Sequence, residues 1–314
     1  KLVKAICNTA IRRKSNVILG VTDDGPFFIS AYLAAKRLKI PLVIYMLDLY
    51  REGRRSRIQK FFAKRYEQRI FDYASAVLVM SERMQEHYKQ KYGIESTVIP
   101  HPIDAEEIVD TVSVTKQEEI KDRPLQVVFT GHITAAQYGS VEDLIKIIGE
   151  HPAEFSLKLC VPAKGGWGFK YSLPPNVEYA SLDREEVREA QRDADVLFLP
   201  YAFNNPYPDI IRTASPSKLP EYLAAGKPIL YYGPKEAYVN WYFNETNSAL
   251  CVNKNNREEL LFSLRQLKND EVLRKKLAGN ALLCARNHTS TMVAEKAWKV
   301  IENIYASKIK NRND

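Results

Sequence analysis

The chain has 314 residues, of which 45% are hydrophobic and 27% charged, and it carries a net charge of +8. That length suits two domains of ordinary size, and so large an apolar share excludes a disordered chain. No apolar run reaches the roughly 18 residues of a membrane-spanning helix, and the opening KLVKAICNTAIRRKS has too much charge for a secretory signal.

The chain opens on a helical pattern near residues 2–13, where a nucleotide-binding α/β domain ordinarily opens on a strand and a glycine-rich turn. Strands are then expected at Asn16–Val21, Pro41–Leu47, Ala76–Met80 and Thr97–Ile99, with helices near 26–38, 55–73 and 82–92. Runs that are apolar on both faces and alternate with helices predict a parallel sheet covered on both sides. The polar segment from Asp104 to Pro124 breaks the rhythm and reads as a linker. The alternation restarts with strands at 126–130, 155–161, 177–180, 195–199, 228–232 and 248–252. Helices are expected at 141–149, 184–193, 218–225 and 235–243, and the end is helical from about 257 to 307. The expected fold class is α/β with two Rossmann-like domains, the first expected to lack its opening βα units. Their expected bounds are 1–104 and 125–289, with a linker at 105–124 and a final helix, 290–314, crossing back to the first domain.

Charge is spread unevenly along this order. Residues 1–100 hold 19 Lys and Arg against 9 Asp and Glu, a balance of +10, which leaves −2 for the remainder. The first third is therefore expected to meet something anionic. Its densest stretch is REGRRSRIQKFFAKRYEQR (51–69), with eight basic residues and an apolar stripe of Ile58, Phe61, Phe62 and Tyr66 at helical spacing. A basic amphipathic helix suits an anionic membrane surface, and Arg54, Arg55, Arg57 and Lys60 are the residues expected to meet it or an acceptor. A solvated surface helix explains the stripe but not the excess of cations. Nucleic acid is not expected, because no recognition motif accompanies the basic cluster. The four cysteines lie far apart in apolar runs, as core residues of a reduced protein do.

In open parallel sheets ligands bind beyond the carboxyl ends of the strands, so residues just after strands are the first candidates. Asp48 follows one strand. Asp23 and Asp24 follow another, where capping the next helix is the plainer role. The segment Ser215–Leu230, SPSKLPEYLAAGKPIL, carries the most information. Pro220 belongs in a first helical turn, so Ser217 is the expected N-cap and Lys218 the first helical residue. Gly226 suits the position after the last turn. A helix start with a lysine favours phosphate, and Glu221 can accept hydrogen bonds from sugar or ribose hydroxyls.

This segment resembles the donor-site motif of the GT-B glycosyltransferases, especially the retaining family 4 type. Val98-Ile-Pro-His-Pro-Ile-Asp104, Val127-Val-Phe-Thr-Gly131 and Ala194-Asp-Val-Leu-Phe-Leu-Pro200 resemble, in order, the end of that family's first domain, the opening of its second and the strand before its donor loop. The resemblance implies transfer of a sugar from a nucleotide-diphosphate donor, with retention, to a glycan or lipid-linked acceptor at the cytoplasmic membrane face, with no cofactor and no metal. The donor residues expected are Gly131, Thr213, Pro216, Ser217, Lys218 and Glu221, joined by Lys164 and Arg212 as further sources of positive charge for the diphosphate. Asp48, Lys218 and His132 are the catalytic candidates. The sequence departs from the pattern at three places. Thr213 stands where the family has its other glutamate, His132 follows the glycine where it has Arg, and Gln137 stands near its usual Lys. Losing one placed electrostatic donor can cost ~3–4 kcal/mol of barrier, so the leaving diphosphate needs other positive charge. Two alternatives remain: a non-catalytic GT-B subunit binding a partner or lipid, and a GT-B sugar-nucleotide epimerase.

Overall fold

The computed structural model describes residues 1–22, 26–54, 56–110, 120, 122–162 and 172–313, the last seven by backbone alone. The chain forms two compact units, each an α/β unit built on one all-parallel sheet. The first comprises residues 1–101, 209–215 and 290–314, and the second 102–208 and 216–289. The α/β class with two Rossmann-like units is thus the fold observed.

The sheet of the first unit has four strands, β1 (Ile18–Val21), β2 (Leu42–Met46), β3 (Ala76–Val79) and β4 (Thr97–Val98), ordered as in the sequence. Leu42, Ile44, Met46, Val77 and Val79 point to one face, where helices Phe27–Leu38, Arg57–Tyr73 and Glu82–Tyr92 cover them with Ala34, Ala35, Ala63, Ile70 and Tyr88. Unidirectional order with right-handed crossovers puts successive helices on one side. The opposite face presents Val43 and Leu78, which pack with Ile99 and Val293 under Ala297, Val300 and Ile301 of the final helix Ser290–Asn313. That spacing of four, three and one is a helical stripe, and it supplies the second cover that the two-sided apolar strands require. At β1 the expectation of two buried faces fails. Leu19 and Val21 are 49% and 38% exposed, beside Val43 and Tyr45 in register.

The second sheet has six strands, β5 (Leu125–Thr130), β6 (Phe155–Cys160), β7 (Val177–Ala180), β8 (Val196–Pro200), β9 (Ile229–Tyr232) and β10 (Ala249–Val252), in the order β10-β9-β8-β5-β6-β7. The chain winds one way from β5 to β7 and the other from β8 to β10, so the topological switch lies between β5 and β8. One core packs Val127, Phe129, Leu157, Leu159, Val196 and Phe198 under helices Tyr138–Glu150 and Arg257–Asn269. Arg184–Asp193 begins with a full capping box, Asp183 with Glu186. The helical end is divided into Arg257–Asn269, Glu271–Ala285 and Ser290–Asn313. Ala105–Glu107 is a short 3-10 turn of the second unit; Glu107 there pairs with Arg188, and Val109 N–H donates to the Ala224 carbonyl at 3.0 Å.

Asp23, Asp24, Arg55 and Lys164 lie outside the described residues. Cys7 and Cys160 are buried, Cys251 and Cys284 partly so, and all four are free. Among the described residues no helix is long and apolar enough to cross a membrane.

Candidate functional site

The switch point opens a pocket of about 420 Å³ in the second unit, lined by Thr130, Gly131, His132, Thr134, Gln137, Cys160, Pro162, Leu182, Val187, Pro216, Ser217, Lys218 and Glu221. Its floor is the end of β5 and its wall the helix Lys218–Ala224. Tyr222, fully buried, ties the two together: its hydroxyl accepts from the Thr130 N–H at 3.0 Å and donates to the Phe198 carbonyl of β8 at 3.3 Å. Gln191 steadies the same strand end by donating to the Thr130 hydroxyl at 3.0 Å.

Lys218 is the centre of the arrangement. Its ammonium donates to the Thr130 carbonyl at 2.8 Å and stands 4.2 Å from the centroid of the Phe129 ring. Loss of water lowers its pKa from 10.5 to about 8, and the nearby Glu221 only partly offsets this. An ammonium has three protons. One is engaged with Thr130, which leaves donors for an anion in the pocket. Gly131 makes room for this: its φ is +101°, and a Cβ there would lie 3.2 Å from the Lys218 nitrogen. That position therefore requires glycine both for its backbone and for the lysine beside it.

The helix Lys218–Ala224 begins where the sequence placed it, and Gly226, at φ +65°, follows its end. Its expected cap is corrected. Ser217 occupies the N-cap position but is itself in helical conformation, φ −58° and ψ −27°, and its side chain makes no capping bond. A capping side chain needs an extended backbone to fold back over the first turn. The helix is only seven residues long, so its dipole is weak and positive charge at this edge comes chiefly from Lys218.

Gly131, His132, Pro216, Ser217, Lys218 and Glu221 are thus brought together in one pocket, with His132 exposed at its rim. Arg212 and Thr213 belong to the first unit instead. Arg212 is exposed and lies 3.7 Å from Asp209, while Thr213 is buried, with its carbonyl accepting from the Ser81 hydroxyl. Asp48 also lies in the first unit, exposed just after β2. Gln137 closes its own turn: its side-chain oxygen accepts from the Thr134 N–H at 3.1 Å and from the Thr134 hydroxyl at 2.6 Å. Sequence reasoning missed Thr130, Thr134, Cys160, Pro162, Leu182 and Val187 as pocket walls. The ends of β5 and β6 carried a signal, through the rule that ligands bind after strands.

The basic stretch needs one correction. Arg54 is 8% exposed, its Nε donates to the Tyr50 carbonyl at 2.8 Å, and its guanidinium lies over the Tyr50 ring at 4.6 Å. A turn from Arg51 folds it back onto the protein, so it is not a surface cation. Arg57 and Lys60 are exposed.

Residues 10–107 match the sequence model of Glycosyltransferase Family 4. The match falls almost wholly in the first unit, ending at residue 107 in the second, and does not reach the segment Ser215–Leu230. No curated protein matches by sequence. Among solved structures, a glycosyltransferase from Rickettsia africae is similar at TM-score 0.69 and 14% identity, covering 97% of this chain and 80% of that one. Sucrose-phosphate synthase from Thermosynechococcus elongatus gives 0.70 and 14%, over 97% and 77%. HepE of Anabaena, in complex with UDP, gives 0.72 and 14%, over 97% and 82%. At such identity the likeness establishes the fold, which is that of GT-B glycosyltransferases.

Proposed function

We propose that the chain is a glycosyltransferase that moves a sugar from a nucleotide-diphosphate donor to a glycan or lipid-linked acceptor, with retention. The observation that carries the reading is Lys218, a partly desolvated cation set at the switch-point pocket where open α/β sheets take their ligands. HepE, a structural relative, has been solved in complex with UDP-glucose and with UDP. In this reading the donor diphosphate meets Lys218 beside Gly131, and Glu221 accepts from the ribose hydroxyls. Pro216 and Ser217 border the sugar. Lys218 then offsets the charge that grows on the departing diphosphate, the role that the family gives to residues replaced here by His132 and Gln137. Exposed Arg57 and Lys60 support contact with an anionic membrane surface on the cytoplasmic side.

A second reading has one observation in its favour. A Listeria monocytogenes chain described as a UDP-N-acetylglucosamine 2-epimerase is similar at TM-score 0.57. Epimerisation needs an acid and a base facing one carbon. Among the described pocket residues only Glu221 is a carboxylate, so transfer is favoured.

The test is release of nucleoside diphosphate from a panel of UDP- and GDP-sugars. Steady release is expected from the native chain, reduced at least 100-fold in Glu221→Ala and Lys218→Met. A folded protein that binds these donors but turns over none would move the reading to a non-catalytic subunit.

A further inference from the structure

Glu221 borders two cavities of the second unit: the pocket at Lys218 and a cleft of about 10 Å³. The polar lining of the cleft is Glu107, Arg188, Gln191, Arg192 and Glu221. Its volume is enough for one water molecule. Two of these five groups are already matched, since Arg188, with Arg184, pairs with Glu107. The other three are not. Arg192 is half-buried in the last turn of helix Arg184–Asp193, and among the described residues no carboxylate pairs with it. Glu221 is half-buried as well, and among the described residues its carboxylate has no hydrogen-bond donor. Gln191 is 3% exposed; one N–H of its amide donates to the Thr130 hydroxyl at 3.0 Å, and among the described residues the amide makes no other bond.

Packing does not account for a glutamine at this position. An amide has two N–H donors and an oxygen that accepts, so most of the bonding capacity of Gln191 is unspent. A buried amide left half-bonded destabilises the fold, and a leucine would cover Thr130 without that penalty. The unspent groups meet instead at a space of one water. A buried water makes about three hydrogen bonds to groups that would otherwise go unsatisfied. Here Arg192 can donate to it, and Glu221 and the Gln191 oxygen can accept from it.

We propose that Gln191 and Arg192 are positioning residues for Glu221, acting through one water bound in this cleft. The water accepts from the Arg192 guanidinium and donates one proton to the Gln191 oxygen and the other to a carboxylate oxygen of Glu221. The carboxylate is thereby fixed on the cleft side, and its remaining acceptor sites serve hydroxyl groups in the pocket. Gln191 also bonds Thr130, whose carbonyl holds the Lys218 ammonium, so one helix positions both charged groups of the pocket. The proposal rests on the donor reading, which gives Glu221 the ribose.

The experiment is calorimetric titration of the full chain with UDP, GDP and their 2′-deoxy forms, with a thermal melt of each variant. Native protein is expected to bind one ribonucleotide at least fivefold more tightly than its deoxy form, and Glu221→Ala to show no such preference. Gln191→Leu and Arg192→Met, melting within a few degrees of native protein, should lose at least fivefold on the ribonucleotide and less than twofold on the deoxy form. Arg192→Lys keeps a donor at the cleft and should retain the preference. Where Gln191→Leu fails to fold, Arg192→Met decides alone. A merely structural role weakens both forms equally. That result, or a preference that survives both substitutions, overturns the proposal and leaves the donor reading standing. A native chain that binds neither nucleotide removes the donor reading and the proposal together.

Discussion

Bonded to the Thr130 carbonyl and set against the Phe129 ring, the Lys218 ammonium loses its proton at a pH of about 8, below the ordinary 10.5 for lysine. Two consequences differ in sign. A diphosphate needs the charged form, so UDP affinity should fall as pH rises from 7 to 9, by severalfold in calorimetry, and Lys218→Met should be weak and flat across that range. Stability of the free protein should move the other way. The unfolded chain keeps this proton up to 10.5, and the folded chain releases it near 8. The destabilisation is therefore fully present below pH 8 and is relieved as pH rises between those values. Denaturant titration of native protein and Lys218→Met should show the gap between them narrowing over that interval. Gly131 makes a separate case. Gly131→Ala strains a backbone at φ +101° and crowds the Lys218 nitrogen, so a loss of ~1–3 kcal/mol is expected by denaturant titration, with UDP affinity falling too.

Tyr222 ties the helix Lys218–Ala224 to the ends of two strands of the sheet. Tyr222→Phe leaves the Thr130 N–H without its partner, which costs ~1–3 kcal/mol; a thermal melt should show it, and UDP affinity should drop with the strand end that Thr130 forms. In the first unit, Leu78→Ala opens a hole between β3 and the final helix, at a cost of ~2–5 kcal/mol. At this scale the sequence was most legible. Strands buried on both faces betray themselves by unbroken apolar runs, and β2 at Leu42–Met46 sits inside the expected Pro41–Leu47. Local rules were enough for Pro220, Lys218 and Gly226. They failed where tertiary contacts decide. The helix expected at 235–243 runs from Tyr238 to Thr246, because Pro234 to Ala237 first turn back, with Ala237 N–H on the Pro234 carbonyl. Pro208–Ile211 is a helix of one turn, too short to leave a periodic pattern. The burial of Arg54 on Tyr50 depends on a turn that no spacing announces.

For the whole molecule, topology did what the motif alone could not. The order β10-β9-β8-β5-β6-β7 reverses between β5 and β8, and the strand-end residue Gly131 and the helix residues Lys218 and Glu221 meet at that reversal although they lie far apart in sequence. Sequence spacing grouped Arg212 and Thr213 with them, yet both fold with the first unit. Neighbours in sequence are separated here by the change of unit at Pro216, an assignment that only long-range contacts determine. A nucleotide-sugar that binds at this reversal would stabilise the folded chain. The most direct measurement is the melting temperature of the full chain with UDP and with GDP in excess, for native protein and for Glu221→Ala. One of the two nucleotides should raise the native melting temperature by several degrees and leave that of Glu221→Ala unmoved. A folded native protein that neither nucleotide stabilises would contradict it.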